Sequence, residues 1–295
     1  MRIAHITDIH VTRIPNLTQM TPKRLLGTAN LLIGGRRHHF SRAVQEALVK
    51  GVDELDPDAI ICTGDITQTS IPQEFEGARK LLSPIFEKYR TVLISGNHDA
   101  YTQRAWKGQT IEKYFDAFMG HGPWPRIHHL SEELAVVCID TCRAHITSSG
   151  HVKATELERL EQVLASDELR EKKLLVALHY PLRDRRGEPY GPPSRALSNA
   201  EELERRLLPH GQRIRAILHG HEHHGYRTSL GQGDDAIAIL NPGSSGYAWL
   251  PQKQRTAHFN LYTFVEGNIE VDRFAYCGHE KRFLPEVGGA YASKG

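Results

Sequence analysis

Several short apolar runs in this chain end in residues able to bind a metal ion or move a proton. These are Asp8 and His10; Asp65; Asn97, His98 and Asp99; His179; and His221 and His223. The fullest case is Gly96-Asn97-His98-Asp99, which follows Val92-Leu93-Ile94-Ser95 directly. Glycine admits a backbone path where a side chain would clash. Asn97 offers a neutral oxygen, His98 can give or take a proton near neutral pH, and Asp99 can hold that imidazole in one tautomer. Asp8 and His10 stand two apart around an apolar residue. On an extended chain both would lie on one side, within reach of one ion. Imidazole mixed with carboxylate oxygen suits Mn, Fe, Zn or Co better than Ca or an all-sulfur zinc site. Each residue alone has a plain structural explanation: Asp8 a turn cap, His179 a core histidine, His-Gly-His a turn. Their joint placement after separate strands carries the weight, because sites in open α/β sheets form at the carboxyl ends of strands.

The elements that must position them follow from periodicity. Residues 2–7, 59–63, 91–95, 134–140, 174–178 and 214–218 read as buried strands. Helical spacing marks 40–55, 72–86, 111–119 and about 199–208, and Thr155-x-x-Glu158 reads as a capping box opening a helix that ends near Ser166. This alternation predicts crossover units and a sheet packed between layers. Beyond residue 236 the helical pattern stops. Residues 236–240, 259–265 and 269–276 read as strands of a second sheet packed on the first, the last two joined by a Glu266-Gly267-Asn268 turn. No linker composition interrupts the chain, so 1–295 is expected to form one domain. A basic and apolar insertion at about 12–38 and a Pro/Gly/Arg-rich candidate lid at about 183–198 are its additions.

Bulk properties narrow the function. The 295 residues are 39% hydrophobic and 24% charged with net charge +2, which gives no bulk electrostatic case for nucleic acid. The 18 histidines are the unusual count and favour metal. Cys62, Cys138, Cys142 and Cys277 lack paired spacing and read as free thiols. No signal-peptide pattern and no apolar run of membrane-spanning length is visible, so a cytoplasmic protein is expected. The insertion sets Lys23-Arg24 and Gly34-Gly35-Arg36-Arg37 around an apolar stretch. It reads either as a cap folded over the domain or as an amphipathic contact, through 23–37, to lipid at the inner face of the membrane. Arg183, Arg185 and Arg186 read either as contacts to a second phosphate of the substrate or as a solvated loop.

Asp8-x-His10, Gly64-Asp65, Gly96-Asn97-His98-Asp99, His179 and Gly220-His221-x-His223 resemble, in order, the motifs of the calcineurin-like metallophosphoesterases. The resemblance implies an α/β fold, a two-sheet β-sandwich flanked by helices, with a dinuclear metal site at the strand C-terminal ends. It implies one divalent ion on Asp8, His10 and His223, a second on Asn97, His179 and His221, and Asp65 bridging both. His98 would protonate the leaving group or steady the phosphate, with Asp99 orienting it. Two ions about 3.5–4 Å apart can clamp a phosphoryl group and activate a bridging hydroxide for in-line attack. The Ser/Thr protein phosphatases of this superfamily carry Asp-Arg-Gly after the second motif, where this chain reads Asp65-Ile66-Thr67-Gln68. The segment is more similar to small bacterial phosphodiesterases, including those for cyclic nucleotides. The insertion is similar in kind to that of UDP-diacylglucosamine pyrophosphatases, which often depart from Asn-His-Asp. The expected function is a phosphodiesterase or pyrophosphatase on a nucleotide or lipid-linked small substrate. The alternatives are a nuclease, which would want a basic groove, and a non-catalytic metal-binding scaffold, which would usually have lost ligands. Asn241-Pro242-Gly243-Ser244 resembles a segment after the last ligand and reads as structural. The oligomeric state is left open.

Overall fold

Strands that are apolar at every position can be buried on both faces, and parity assigns each side chain to a layer. In β1 (Arg2–Ile6), Ile3 points to one core and Ala4 and Ile6 to another; in β2 (Ala59–Cys62), Ala59 and Ile61 alternate likewise with Ile60 and Cys62. The computed structural model describes residues 1–25, 27, 39–144, 147–265 and 268–286. It has two 6-stranded sheets. The first runs β12-β11-β10-β1-β2-β3, with β3 (Arg90–Leu93), β10 (His258–Val265), β11 (Asn268–Cys277) and β12 (Arg282–Pro285). The second runs β4-β5-β6-β7-β9-β8, with β4 (Arg126–His129), β5 (Leu134–Cys138), β6 (Lys173–Ala177), β7 (Ile214–Leu218), β8 (Tyr226–Leu230) and β9 (Ile237–Asn241). β1-β2-β3 and β5-β6-β7-β9 are parallel runs.

The sheets meet face to face over Ile3, Ile61, Val92, Val136, Leu175 and Tyr262. Helices α1 (Arg42–Leu55), α2 (Pro72–Phe86) and α4 (Thr110–Met119) bury Leu48, Phe75, Leu82 and Phe115 against the outer face of the first sheet. Helices α5 (Ala154–Ala165) and α6 (Ala200–Leu207) bury Leu160 and Leu203 against the second. The short α3 (Gln103–Lys107) follows the third motif. This is the two-sheet sandwich flanked by helices.

Two local expectations are corrected. The late strands do not make a sheet of their own. β10 pairs antiparallel with β1 (Ile3↔Tyr262) and carries β11 and β12 onto the first sheet, while β9 lies parallel to β7 in the second. Alternation reveals a half-buried strand and says nothing of which edge will take its hydrogen bonds. The capping box at Thr155 is also displaced. α5 begins at Ala154, and Glu156 reaches back to the Lys153 N–H (3.4 Å) while paired with Arg143 (3.0 Å). Most of the insertion past Leu25, including its apolar centre, and the Glu266-Gly267 part of the hairpin turn lie outside the described residues. Among the described residues no helix is long and apolar enough to cross a membrane.

Candidate metal centre

Asp8 and His10 follow β1, Asp65 follows β2, Asn97 and His98 follow β3, His179 follows β6, and His221 and His223 follow β7. The backbone there is not extended. Asp8 (φ 51), His10 (φ 53), Asp65 (φ 54) and His221 (φ 67) all stand in the left-handed region. Such a conformation costs about 1–3 kcal/mol per residue and survives only where the surroundings enforce it. Here the Asp8 N–H donates to Gly64 O (3.0 Å), the His10 N–H to Asp65 O (3.0 Å) and the His221 N–H to Asp8 Oδ2 (3.0 Å). Asp8 and His10 therefore do converge, by a twisted loop and not by strand parity. Gly64 and Gly96 let the second and third motifs close on one another: a Cβ on Gly64 would run into the Gly96 backbone, and one on Gly96 into the Asp65 carboxylate.

The donors fall into two sets that share Asp65. In one, Asp8 Oδ1 is 3.3 Å from His223 Nε2 and 3.7 Å from His10 Nε2, and the two imidazole nitrogens are 3.3 Å apart. In the other, Asn97 Oδ1 is 3.0 Å from His179 Nε2 and 2.8 Å from His221 Nδ1. Asp65 Oδ2 lies between, 3.7 Å from His10 Nε2 and 3.4 Å from His179 Nε2. The structure thus brings together all seven residues expected to hold metal, in the two groups expected.

The chemistry of these atoms calls for cations. His179 Nδ1 sits 2.7 Å from the Thr63 carbonyl and must donate to it, which leaves Nε2 facing the oxygens of Asn97 and Asp65. Burial opposes a charge on His179, yet Asp65 outweighs it and lifts the pKa to about 9. A proton here meets the demand that a divalent ion would meet, since metal binding displaces protons from its ligands. Asp8 Oδ1 and His221 Nε2 are buried with no hydrogen-bond partner among the described residues, and such orphans are rare unless an ion or water completes them. Burial works against ionisation of Asp8 and Asp65, but the imidazoles of His10 and His223 beside Asp8, and the charge of His179 beside Asp65, hold both well below the usual carboxylate range. The residues fit a pair of divalent ions.

His98 belongs to the same cluster: its ring nitrogen lies with that of His10 and a carboxylate oxygen of Asp65 in a group able to hold an ion, and its ring packs edge-on to His10 at 4.8 Å. Its Nδ1 is 2.6 Å from the Gln68 carbonyl, so Nδ1 carries the proton and Nε2 is the atom left for chemistry. Burial holds its pKa near 4. The expectation that Asp99 orients His98 is corrected. The Asp99 carboxylate instead accepts from the N–H groups of Gly96 (3.0 Å), Ile66 (3.3 Å) and Thr67 (2.9 Å) and from the Thr67 hydroxyl (2.8 Å). It ties the second motif to the third, and the Gln68 carbonyl sets the imidazole.

In the loop at 183–198 the three arginines stand in different surroundings. Arg183 pairs through Nη2 with Glu204 of α6, while Arg185 and Arg186 are exposed on a turn closed by Gly187 N–H to Asp184 O (3.0 Å). The loop is fastened by the Tyr190 hydroxyl on Glu222 (3.0 Å) and by the Gly150–Leu197 bridge. Its Arg195 is the cation whose charge reaches His221, Tyr180 and Tyr190. Sequence reading also passed over Tyr247, whose hydroxyl is 3.1 Å from His223 Nδ1, and Tyr101, whose ring stacks on His98 (5.6 Å). The Asn-Pro-Gly-Ser segment is structural as expected: Ser244 Oγ donates to Asp8 O (2.6 Å) and Asn241 Nδ2 to Glu222 O (2.7 Å).

Helix–sheet–sheet–helix layers with two donor sets sharing one carboxylate define a dimetal phosphoesterase arrangement. A sequence model described as calcineurin-like phosphoesterase matches residues 1–225. The chain belongs to that family. A probable cyclic nucleotide phosphodiesterase of Ruthia magnifica subsp. Calyptogena magnifica is 22% identical over 234 residues, 76% of this chain and 85% of that protein. Among solved structures, a dimetal phosphatase from Danio rerio has TM-score 0.60 at 12% identity, covering 96% of this chain and 98% of its own. A purple acid phosphatase from yellow lupin (Lupinus luteus) has TM-score 0.57 at 12% identity, covering 96% and 52%. Both structural likenesses are likenesses of fold.

Proposed function

We propose that this phosphoester hydrolase is a divalent-metal-dependent phosphodiesterase or pyrophosphatase acting on a nucleotide or lipid-linked small substrate. The observation that carries the reading is Asp65, buried between two complete donor sets with His98 alongside. Mn, Fe, Zn or Co ions held by Asp8, His10, Asp65 and His223, and by Asp65, Asn97, His179 and His221, would supply Lewis acidity and a nucleophile at neutral pH. The chain's own residues do the rest. The His98 N–H donates to Asp65 Oδ1 (2.7 Å), which fixes the shared carboxylate while Oδ2 faces the donors. Once protonated beside an anionic substrate, His98 Nε2 is placed to hold a phosphate oxygen or to pass that proton to the leaving oxygen.

Preference for diesters is supported by the relative named as a cyclic nucleotide phosphodiesterase and by the stretch Asp65-Ile66-Thr67-Gln68-Thr69, which lacks the arginine of the Asp-Arg-Gly that protein phosphatases carry shortly after the second motif. A nuclease is disfavoured by the net charge of +2. We further propose a cytoplasmic protein whose insertion at 23–37 touches an anionic lipid surface; deleting 12–35 should then abolish sedimentation with anionic liposomes, and unchanged sedimentation would refute the contact. The central test is hydrolysis of bis(p-nitrophenyl) phosphate against p-nitrophenyl phosphate by metal-stripped protein, before and after adding Mn. Manganese-dependent cleavage with the diester preferred is expected. Preference for the monoester would make it a phosphatase, and inactivity on both with two metals bound would favour the scaffold.

A further inference from the structure

A cavity of about 1270 Å³ opens beside the third motif, between the segment at residues 18–24 and helices α3 and α4. It is larger than the ~300–1,000 Å³ usual for small-molecule sites. Its wall is mostly carbon, from Pro22, Pro72, Tyr101, Ala105 and Tyr114 among others, and Lys23, Arg104 and Lys113 stand in it as cations. Tyr101 is the connection to the chemistry. The ring that lines the cavity is the ring stacked on His98, so the cavity begins one aromatic ring away from the group placed at the leaving oxygen.

The walls also indicate what kind of group fits. The Tyr101 ring is already engaged by His98 and by the Lys23 ammonium, 4.4 Å from its centroid, and Tyr114 is stacked on Phe75 at 5.4 Å. A nucleobase would look for an aromatic face to stack on, and each of these rings already carries a stacked partner, Tyr101 with a cation besides. Aliphatic chain needs only volume and carbon, both present here. The cations complement an anionic substrate and suit neither a neutral oil nor a cation.

We propose that this cavity is a binding subsite for the aliphatic part of an amphiphilic, anionic phosphodiester whose phosphate lies at the metal centre. The proposal rests on the phosphodiesterase reading and names its substrate class. Lys23, Arg104 and Lys113 draw in the anion, and the carbon wall discriminates by chain length.

The test is direct binding, by calorimetry, of butyl, hexyl and octyl phosphate to the manganese-loaded full chain, at concentrations below micelle formation. Each methylene fully buried strengthens binding about fourfold, so octyl phosphate should bind at least tenfold more tightly than butyl phosphate. Thr110→Phe and, at an exposed position, Arg104→Trp should each shrink that ratio towards one. The ratio is taken within one protein, so a general change in phosphate affinity cancels. Equal affinity for butyl and octyl phosphate in the wild type overturns the subsite. So does a ratio that persists in both variants when circular dichroism shows them folded. Bis(p-nitrophenyl) phosphate hydrolysis is measured on the same preparations. Its absence beside chain-length-dependent binding sinks the hydrolase reading and leaves the subsite standing; the reverse pattern sinks the subsite alone.

Discussion

The two sheets contribute unlike halves of the centre. Loops of the first supply both carboxylates, Asp8 and Asp65, together with His10, Asn97 and His98; loops of the second supply only the imidazoles of His179, His221 and His223. The first half is also the more tightly knitted. Asp99 gathers N–H groups from the second and third motifs, and Glu74 accepts from the N–H groups of Thr69 (2.8 Å) and Arg13 (3.1 Å), joining the loops after β1 and β2. The second half is fastened in part to the first, by two bonds: His179 to Thr63 O, and His221 N–H to Asp8 Oδ2. One sheet thus sets the negative charge and the frame, and the other closes imidazoles onto it.

Replacing a charged member of the frame should do the most damage. Asp65→Asn removes the carboxylate common to both donor sets and should lower kcat by roughly a thousandfold or more; metal analysis should find fewer than two ions per chain. Two bound ions with near-normal turnover would show that the sheets do not share a ligand. On the second sheet, Tyr247→Phe leaves His223 in place and removes the hydroxyl that orients it. Loss of such a partner typically costs 10–100-fold in metal affinity, which a chelator competition reads directly.

Smaller effects test the frame itself. Burial pushes the Glu74 carboxyl up from 4.5 to about 7. The folded state therefore binds a proton that the unfolded chain releases, and this contribution, full below pH 4.5, is lost as pH rises through 7. The Tm of the wild type relative to Glu74→Gln should accordingly decline between pH 5 and 7.5; a pH-independent difference would mean that Glu74 is already ionised in the fold. Arg183→Ala should matter least. Its guanidinium pairs with Glu204 of α6, which belongs to neither donor set. Diester hydrolysis should be unchanged, and a marked rise in KM would restore Arg183 to the substrate.

The donor set was legible in the sequence because its chemistry lies in side chains, and because apolar runs announce the strand ends that carry them. Helix α2 and strand β7 were readable nearly to the residue for the same reason: periodicity and a leading proline are local signals. What escaped is carried by the main chain or by distant pairing. The carbonyls of Gln68 and Thr63 fix two imidazole tautomers, and every residue has a carbonyl. The left-handed turns at Asp8 and His10 leave no mark in an apolar-polar pattern. The place of β10 beside β1 joins positions more than 250 residues apart in the Ile3↔Tyr262 pair, beyond the reach of any window. Asp99 misled because adjacency in sequence suggested a partner that the fold places elsewhere.

The left-handed backbone at Asp8, His10, Asp65 and His221 also limits how this centre could be lost over time. A β-branched substitution at any of them removes a donor and strains the loop together, so it threatens the fold as well as the reaction. Glycine, and to a lesser degree asparagine, occupies that region readily. A descendant that gave up hydrolysis but kept its architecture would therefore be expected to carry glycine or asparagine at these four positions, and a relative so substituted could be recognised as a retired enzyme from its sequence alone.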